Sequence, residues 1–200
     1  MSEVSIDNEP LVRFLNKLQP LSPAIIDFAL KETFRITVKK NSLIDSVQEN
    51  SKECVFFIIK GLVRGFILDE GKDITTWLTQ ENGLIGTIRN PGNTAPTYFE
   101  HLQAIEDSNL LVLPYSFIDK LYVQFPESNI LGRKLLAIHY HMSQERSILS
   151  RIPSAEARYK QFKDNHPTIK FRIPLKYLAS YLGMRIETLS RIRRRAKLNS

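Results

Sequence analysis

Near its C-terminus the chain reads Ile173-Pro-Leu-Lys-Tyr-Leu-Ala-Ser-Tyr-Leu-Gly-Met-Arg-Ile-Glu-Thr-Leu-Ser-Arg-Ile-Arg-Arg-Arg195. Apolar residues at helical spacing predict a first short helix: Leu175, Leu178, Ala179 and Leu182. Gly183 follows where a tight turn is needed, because glycine adopts positive φ without steric cost. Apolar residues spaced three apart predict a second helix: Ile186, Leu189 and Ile192. Two short helices joined by a glycine turn predict a helix-turn-helix.

The other face of the second helix is polar and strongly basic. It carries the candidate DNA-binding residues Arg185, Glu187, Thr188, Ser190, Arg191, Arg193, Arg194 and Arg195. In the major groove, Arg side chains bind guanine and Glu side chains accept hydrogen bonds from cytosine. The alternative is an ordinary amphipathic helix whose basic face is only solvated. The Glu-Thr-x-x-Arg spacing and the density of arginine favour DNA binding.

Positive charge is concentrated in the same part of the chain. The formal net charge is +7, and residues 151–200 contain 13 Lys or Arg against 3 Asp or Glu. Residues 1–150 therefore contain 15 basic and 18 acidic residues. A basic end on a slightly acidic body indicates a polyanionic partner, which we expect to be double-stranded DNA.

The run from Ala179 to Ile192 resembles the helix-turn-helix of the Crp/Fnr family of bacterial transcription regulators, which includes the cyclic-AMP receptor protein. The resemblance implies that Glu187, Thr188 and Arg191 reach bases and phosphates. It also implies a homodimer, with RNA polymerase and a small-molecule effector as further partners.

The sequence departs from the family pattern at three places. Family members often carry a second base-reading Arg where this chain has Ile186. A Ser or Thr cap usually precedes this helix, and neither Met184 nor Arg185 can supply a capping oxygen. Relatives usually continue into a small β wing, which we expect to be missing because the sequence stops at Ser200.

The N-terminal body predicts a short helical lead-in followed by many strands. Residues 10–34 have helical periodicity, with Ser22 as an N-cap before Pro23. From Phe34 to about Leu113, short β-branched and aromatic runs alternate with turns, including a hairpin turn at residues 69–73. Periodicity alone predicts an all-β domain of jelly-roll type. The run Phe56-Phe-Ile-Ile-Lys-Gly-Leu-Val-Arg-Gly65 also resembles a hairpin of the Crp/Fnr sensor domain.

A long helix is predicted from about residue 127 to residue 151. A heptad seam follows it at 4-3 spacing: Leu131, Leu135, Ile138, Met142, Glu145, Leu149 and Ile152. Such a seam favours self-association, and the candidate dimer contacts are Leu131, Leu135, Ile138, Met142 and Leu149. The alternative is a helix that packs on its own β domain. A hinge at Ile152-Pro153 and an N-cap at Ser154 then lead into the next helix.

The segment after residue 84 is where the resemblance implies an effector pocket. Cyclic-nucleotide-binding relatives have Gly-Glu-x-x-Leu and then Arg-[Ser/Thr]-Ala, which bind the ribose hydroxyl and the cyclic phosphate. Here the corresponding candidates are Gly86, Thr87, Arg89, Thr97 and Tyr98. Thr87 replaces the Glu, and Arg89 is at the wrong spacing. We therefore expect no cofactor, no cyclic-AMP binding and an unknown effector. Tyr98 and Phe99 are expected to fill the pocket or to line it for a more apolar ligand.

Catalytic and metal-binding patterns are absent from the sequence. The four histidines are scattered, and His139 and His141 are two apart on a helix, so they point to different faces. Cys54 is the only cysteine, so neither a disulfide within the chain nor a cysteine metal cluster is possible. We predict that the protein is not an enzyme and binds no metal. The acidic N-terminus is unlike a signal peptide and no apolar run approaches the roughly 20 residues of a membrane helix, which predicts a cytoplasmic protein.

These patterns together predict an α+β protein with three parts. Residues 1–125 are predicted to form a jelly-roll sensor, residues 126–152 a dimerisation helix, and residues 153–200 a winged-helix-like helix-turn-helix without its wing. The predicted function is a dimeric DNA-binding transcription regulator that reads a near-palindromic operator and responds to an effector. The alternative is a ligand- or protein-binding sensor or scaffold of the same fold that does not recognise specific DNA.

Overall fold

The structure, a computed structural model, describes residues 10–49, 51–86, 89 and 98–198. In chain order the helices and strands are α1 (Pro10–Leu18), α2 (Pro23–Glu32), β1 (Phe34–Val38), β2 (Cys54–Lys60), β3 (Leu62–Asp69), β4 (Lys72–Gln80), β5 (Leu84–Gly86), β6 (His101–Ala104), β7 (Ser108–Pro114), α3 (Tyr115–Gln124), α4 (Ser128–Arg151), α5 (Ala155–Asn165), α6 (Leu175–Tyr181) and α7 (Ile186–Leu198). Short 3-10 turns lie at Ile44–Ser46 and Ser51–Glu53. The predicted α+β class is confirmed.

The helical lead-in consists of two helices where the sequence pattern suggested a helical region over residues 10–34. The break between α1 and α2 contains Pro20, and α2 starts again at a proper cap. The Ser22 hydroxyl accepts a hydrogen bond from the Ile25 N–H at 3.4 Å, and Pro23 occupies the first helical turn. The predicted cap is therefore confirmed, because it satisfies a backbone donor that the helix start leaves free.

Two antiparallel sheets form the β domain. One has the strand order β1-β7-β2-β5 and the other has the order β4-β3-β6. The hairpin between β3 and β4 turns at Glu70 and Gly71, whose φ angles are 48° and 77°. Positive φ at both central residues is typical of a type I′ turn, which matches the right-handed twist of paired strands. The hairpin predicted at residues 69–73 is confirmed.

Successive side chains of strand β7 point alternately to its two faces and join two different hydrophobic clusters. Leu110 and Val112 join the cluster between the two sheets, which also contains Phe56 and Ile58 of β2. The intervening residues of β7 and β2 instead face α1, α2 and α3, in a second cluster: Phe57, Leu111 and Leu113 with Leu11, Ala29 and Phe117. Because successive side chains point to opposite faces of a strand, one buried strand can serve both layers.

The C-terminal helices pack directly on the sheet that contains β4. Leu62 and Leu78 of this sheet share a buried cluster with Leu178 of α6 and Phe162 of α5. Arg172, just before α6, donates hydrogen bonds to both carboxylate oxygens of Glu81, which follows β4, at 2.9 and 2.8 Å. The helix-turn-helix unit is therefore held against the β domain by apolar burial and by a charged pair.

We expect this charged pair to make stability depend on acid pH. Hydrogen bonds from Arg172 are the largest cause that lowers the pKa of Glu81 from 4.5 to about 2. A carboxylate with a depressed pKa in the folded state stabilises the fold above its unfolded pKa, and the contribution is lost as pH falls through the folded pKa. The loss should therefore occur between pH 4.5 and about pH 2. A shift of one pKa unit corresponds to about 1.4 kcal/mol. Because Glu81 is partly exposed and solvent screens its charge, we expect the stability lost on its protonation to reach about 2 kcal/mol.

Denaturant unfolding of the wild type and of Glu81→Gln over this pH range measures the effect. The amide introduced by the substitution keeps an oxygen for the Gly61 N–H, which donates to the Glu81 carboxylate at 2.8 Å in the wild type, but it cannot titrate. The unfolding free energy of the wild type should fall more steeply with acid than that of the variant. Parallel curves for the two proteins would contradict the assignment.

Candidate nucleic-acid interface and effector cavity

The turn between α6 and α7 closes with two backbone hydrogen bonds. The N–H of Met184 donates to the Ala179 carbonyl at 3.0 Å, and the N–H of Gly183 donates to the Ser180 carbonyl at 3.0 Å. This is a Schellman arrangement, which needs a residue in the left-handed region, and Gly183 supplies it with φ of 60°. The predicted glycine turn is therefore confirmed, and it fixes the angle at which α7 leaves α6.

Helix α7 buries one face and exposes the other. Leu189 and Ile192 lie in the core with Leu178 and Leu182 of the preceding helix and turn. Of the candidate DNA-binding residues, the exposed ones are Arg185, Glu187, Ser190, Arg191, Arg194 and Arg195, while Thr188 and Arg193 are half-buried. The structure thus brings the predicted residues together on α7, with Arg185 immediately before it, and gives them a large accessible basic face. Ile186, at the position of the family's second Arg, is an exposed apolar side chain at the start of this helix.

Arg158 of α5 connects the helix-turn-helix to the hinge, which the sequence analysis missed. Its guanidinium donates to the Leu182 carbonyl at 2.7 Å and to the Gly183 carbonyl at 3.3 Å. The same group donates to the Ile152 carbonyl at 2.5 Å. A charged donor on three turn carbonyls stiffens this corner, because hydrogen bonds with an ionised partner are stronger than neutral ones. A single Arg inside a charged helix gives no sequence signal for this role.

The seam of α4 divides into buried ends and an exposed middle. Leu131 and Leu149 are 4% and 7% exposed and are covered by the chain itself, and Leu135 is half-buried. Ile138 and Met142, in the middle, are exposed. The packing that the alternative predicted therefore accounts for the two ends of the seam, and the exposed part of the seam is Ile138 and Met142.

A cavity of about 620 Å³ lies between the β domain and the middle of α4. Its walls come from both sheets, from the segment that precedes β6, and from one stripe of α4. The lining includes Asp45, Lys52, Trp77, Thr79, Tyr98, Phe99, Glu100, His139, Ser143 and Arg146. The lining thus combines the aromatic side chains of Trp77, Tyr98 and Phe99 with two cations, Lys52 and Arg146, and two carboxylates, Asp45 and Glu100. Its volume is typical of sites for small molecules.

Only part of the predicted effector set lines this cavity. Gly86 and Tyr98 do, whereas Thr87 and Thr97 lie outside the described residues. Arg89 lies elsewhere: its guanidinium binds Glu53 at 2.6 Å and Asp119 at 3.0 Å, and it borders a separate apolar cavity of about 420 Å³. Arg89 is thus paired with two carboxylates and is not among the described residues that line the larger cavity.

The cavity residues that the sequence analysis missed lie mostly on α4. His139, Ser143 and Arg146 follow 4-3 spacing, so they form a polar stripe beside the Ile138–Met142 surface. Burial first, and then the Arg146 charge, lower the pKa of His139, which keeps its imidazole neutral at neutral pH. Trp77 packs on Gly65 so closely that a Cβ there would lie 2.3 Å from the indole.

Neither a candidate metal-binding cluster nor a candidate membrane-spanning helix occurs in the part of the chain that the structure describes. Within these residues no group of three or more His, Cys, Asp and Glu side chains is placed to hold a metal ion. In the same ranges, none of the helices combines the length and the hydropathy that crossing a membrane requires.

No protein-family model matches the sequence, and no curated protein is significantly similar to it. Solved structures are similar in fold. A transcriptional regulator of the crp/fnr family from Eubacterium rectale has a TM-score of 0.68 at 16% identity, covering 94% of this chain and 88% of that one. FixK2 from Bradyrhizobium japonicum has a TM-score of 0.66 at 17% identity, covering 84% and 85%. A CooA mutant from Carboxydothermus hydrogenoformans has a TM-score of 0.65 at 17% identity, covering 95% and 85%. The predicted resemblance to Crp/Fnr regulators is thereby confirmed at the level of the fold.

Proposed function

We propose that this chain, which has the fold of Crp/Fnr regulators, is a cytoplasmic DNA-binding transcription regulator and not an enzyme. The observation that carries the proposal is α7, which buries Leu189 and Ile192 and exposes a face rich in arginine together with Glu187. This arrangement is what a recognition helix needs, because the second helix of a helix-turn-helix lies in the major groove with its N-terminal residues on the base edges. Contacts with RNA polymerase belong to the same proposal.

The regulator is proposed to act as a homodimer through the centre of α4. Ile138 and Met142 are exposed there in the single chain. An apolar band on a long helix is typical of an interface. A dimer would present two recognition helices to successive major grooves, about 34 Å apart on one face of the DNA, and would therefore read a near-palindromic operator.

The effector is proposed to bind in the 620 Å³ cavity, which touches both β4 and α4. The aromatic side chains of the lining favour a flat or apolar molecule. The lining charges are of both signs, with Lys52 and Arg146 beside Asp45 and Glu100. Because His139 and Arg146 come from the same helix as Ile138 and Met142, a ligand there can bias the dimer helix directly. The domain division at residues 125 and 152 remains part of this proposal.

A sensor or scaffold that does not recognise specific DNA is the second candidate. The exposed Ile186 favours it, because this position in Crp/Fnr regulators often carries a base-reading Arg. Gel shifts on the DNA upstream of the protein's own gene separate the two candidates. A discrete shifted band that persists in competitor DNA supports the regulator. Binding that does not distinguish DNA sequences and varies only with salt concentration supports the sensor or scaffold.

We expect Glu187→Ala and Arg191→Ala each to weaken operator binding by about 1–3 kcal/mol, because each removes a base or phosphate contact. Anisotropy titrations against operator and against random DNA measure the effect. Arg194→Ala should weaken binding to both DNAs about equally and reduce the salt slope, as the loss of a phosphate contact does. Arg13→Ala, an exposed arginine on α1, is the matched control and should bind like the wild type. Wild-type affinity in the first two variants would show that α7 is not the reading helix.

A further inference from the structure

Strand β4 lies at the edge of its sheet, yet its outer side is covered by the helix-turn-helix. A free edge exposes unpaired backbone N–H and C=O groups. Here the Thr75 N–H donates to the Ser180 hydroxyl of α6 at 2.9 Å. The same hydroxyl donates to the Asp73 carbonyl at 3.3 Å. One side chain of α6 thus takes the place that a neighbouring strand would occupy.

A buried arginine of the neighbouring strand β3 forms the second contact between this sheet and α6. Arg64 of β3 is 1% exposed, and Asp73 of β4 binds it with both carboxylate oxygens, at 2.5 and 2.6 Å. The ring of Tyr177 on α6 covers the open face of the guanidinium at 3.7 Å. Cation–π contacts are strongest where water is excluded, so this stack ties α6 to the sheet.

Arg172 forms the third contact and spans two loops of the β domain. It binds Glu81, after β4, and also Glu106, before β7, whose carboxylate accepts from Arg172 Nε at 3.2 Å and from Nη2. Since a guanidinium can bind carboxylates with parallel hydrogen bonds, the contact fixes direction as well as distance. These contacts together define the interdomain clamp: Arg172, Tyr177 and Ser180 on one side, and Arg64, Asp73, Thr75, Glu81 and Glu106 on the other.

The opposite face of β4 is a wall of the effector cavity. Trp77 and Thr79 line the cavity, whereas Leu78, between them, lies in the core shared with the C-terminal helices. Because alternate residues of a strand face opposite sides, any displacement of β4 by a cavity ligand reaches α6 through a single strand. The hinge at Ile152-Pro153 is therefore not the only connection between cavity and recognition helix.

We propose that the interdomain clamp holds α7 in its DNA-reading orientation and carries the state of the cavity to it through β4. The clamp uses α6 and Arg172 and leaves the polar face of α7 exposed, so the clamped arrangement does not block DNA. The reading role rests on the proposed function. The clamp itself does not, and the two can be tested separately.

The test is the double variant Glu81→Gln/Glu106→Gln in the full chain, which removes both charges with little change in shape. The first readout is hydrogen exchange at the Thr75 amide, whose acceptor lies across the interface. We expect exchange about tenfold faster than in the wild type, because loss of charged hydrogen bonds favours local opening. Glu32→Gln, which breaks the Lys120–Glu32 pair at 3.3 Å within the β domain and its helices, is the matched control and should leave Thr75 unchanged.

The second readout is DNA affinity of the same variants. We expect the affinity for the operator to fall about fivefold or more and the affinity for random DNA to stay the same. Without the clamp α7 is less firmly oriented, and operator binding must then restore its orientation at a cost in free energy. If the Thr75 amide exchanges at the same rate in the double variant as in the wild type, the proposed clamp is wrong. Faster exchange with unchanged or tighter operator binding would overturn its reading role. If the wild type does not bind any DNA specifically, both the proposed function and the role of the clamp in DNA reading are wrong. The exchange measurement would still show whether the clamp holds the interface together. If the double variant does not fold, Glu106→Gln alone serves the same purpose.

Discussion

An Ile138→Asp variant is expected to sediment as a monomer under conditions where the wild type sediments as a dimer. Ile138 lies at the centre of the exposed part of α4 and is 40% exposed in the single chain, so a partner helix would bury it. A carboxylate placed in an apolar interface without a partner charge costs several kcal/mol, in each of two symmetry-related positions. Sedimentation velocity at micromolar concentration measures the change.

The control for this variant is Val123→Asp. Val123 is 82% exposed on α3, so the same kind of substitution there should leave the dimer and the fold intact. Circular dichroism of both variants shows whether the helices are retained. Dimerisation through α4 would be contradicted by a wild type that is monomeric at micromolar concentration. It would also be contradicted by an Ile138→Asp variant that remains dimeric.

The parts of this fold that could be predicted from sequence are those with local causes. Ser22 and Ser154 are helix caps because their hydroxyls reach an N–H three residues ahead, at 3.4 and 3.2 Å. Gly183 closes its turn because the backbone there needs positive φ, and Gly71 does the same in the β3–β4 hairpin. Each device acts within five residues, so the sequence alone displays it.

The parts that could not be predicted depend on residues far apart in the chain. Arg172 meets Glu81 across 91 positions and Glu106 across 66, and no local pattern marks them as partners. The seam on α4 was also predicted longer than its accessible part, since periodicity shows that a face is apolar without showing what covers it. At Leu149 the cover is the chain's own C-terminal core.

The 620 Å³ cavity has one wall whose residues follow a periodicity visible in the sequence. The polar stripe of α4, which includes His139 and Arg146, has the same 4-3 spacing as the apolar seam beside it. The resemblance to the nucleotide-binding segment of Crp/Fnr proteins implied Arg89 instead. Arg89 has the right charge but is engaged by Glu53 and Asp119 outside the cavity, which only the tertiary structure reveals.

Cyclic AMP is expected to bind no more tightly than millimolar, if the recognition in Crp/Fnr relatives is the guide. A buried cyclic phosphate needs a paired cation, and its ribose hydroxyl needs an acceptor, since an unpaired buried polar group costs about 1–3 kcal/mol. Thr87 carries no carboxylate, and the Arg89 guanidinium is bound by two acidic side chains. Loss of both contacts corresponds to about 4 kcal/mol, which separates micromolar from millimolar binding.

The charges that do line the cavity do not restore the nucleotide site. Lys52 lies over the Phe99 ring at 3.8 Å, and Arg146 shares the cavity with the carboxylates of Asp45 and Glu100, which repel a phosphate. Calorimetric titration with cyclic AMP and cyclic GMP measures the affinity, and Arg89→Ala should change nothing. A low-micromolar dissociation constant would overturn the expectation. Its loss in Arg89→Ala would then identify the family's cation in an altered position, whereas its loss in Arg146→Ala would show that α4 supplies the phosphate contact.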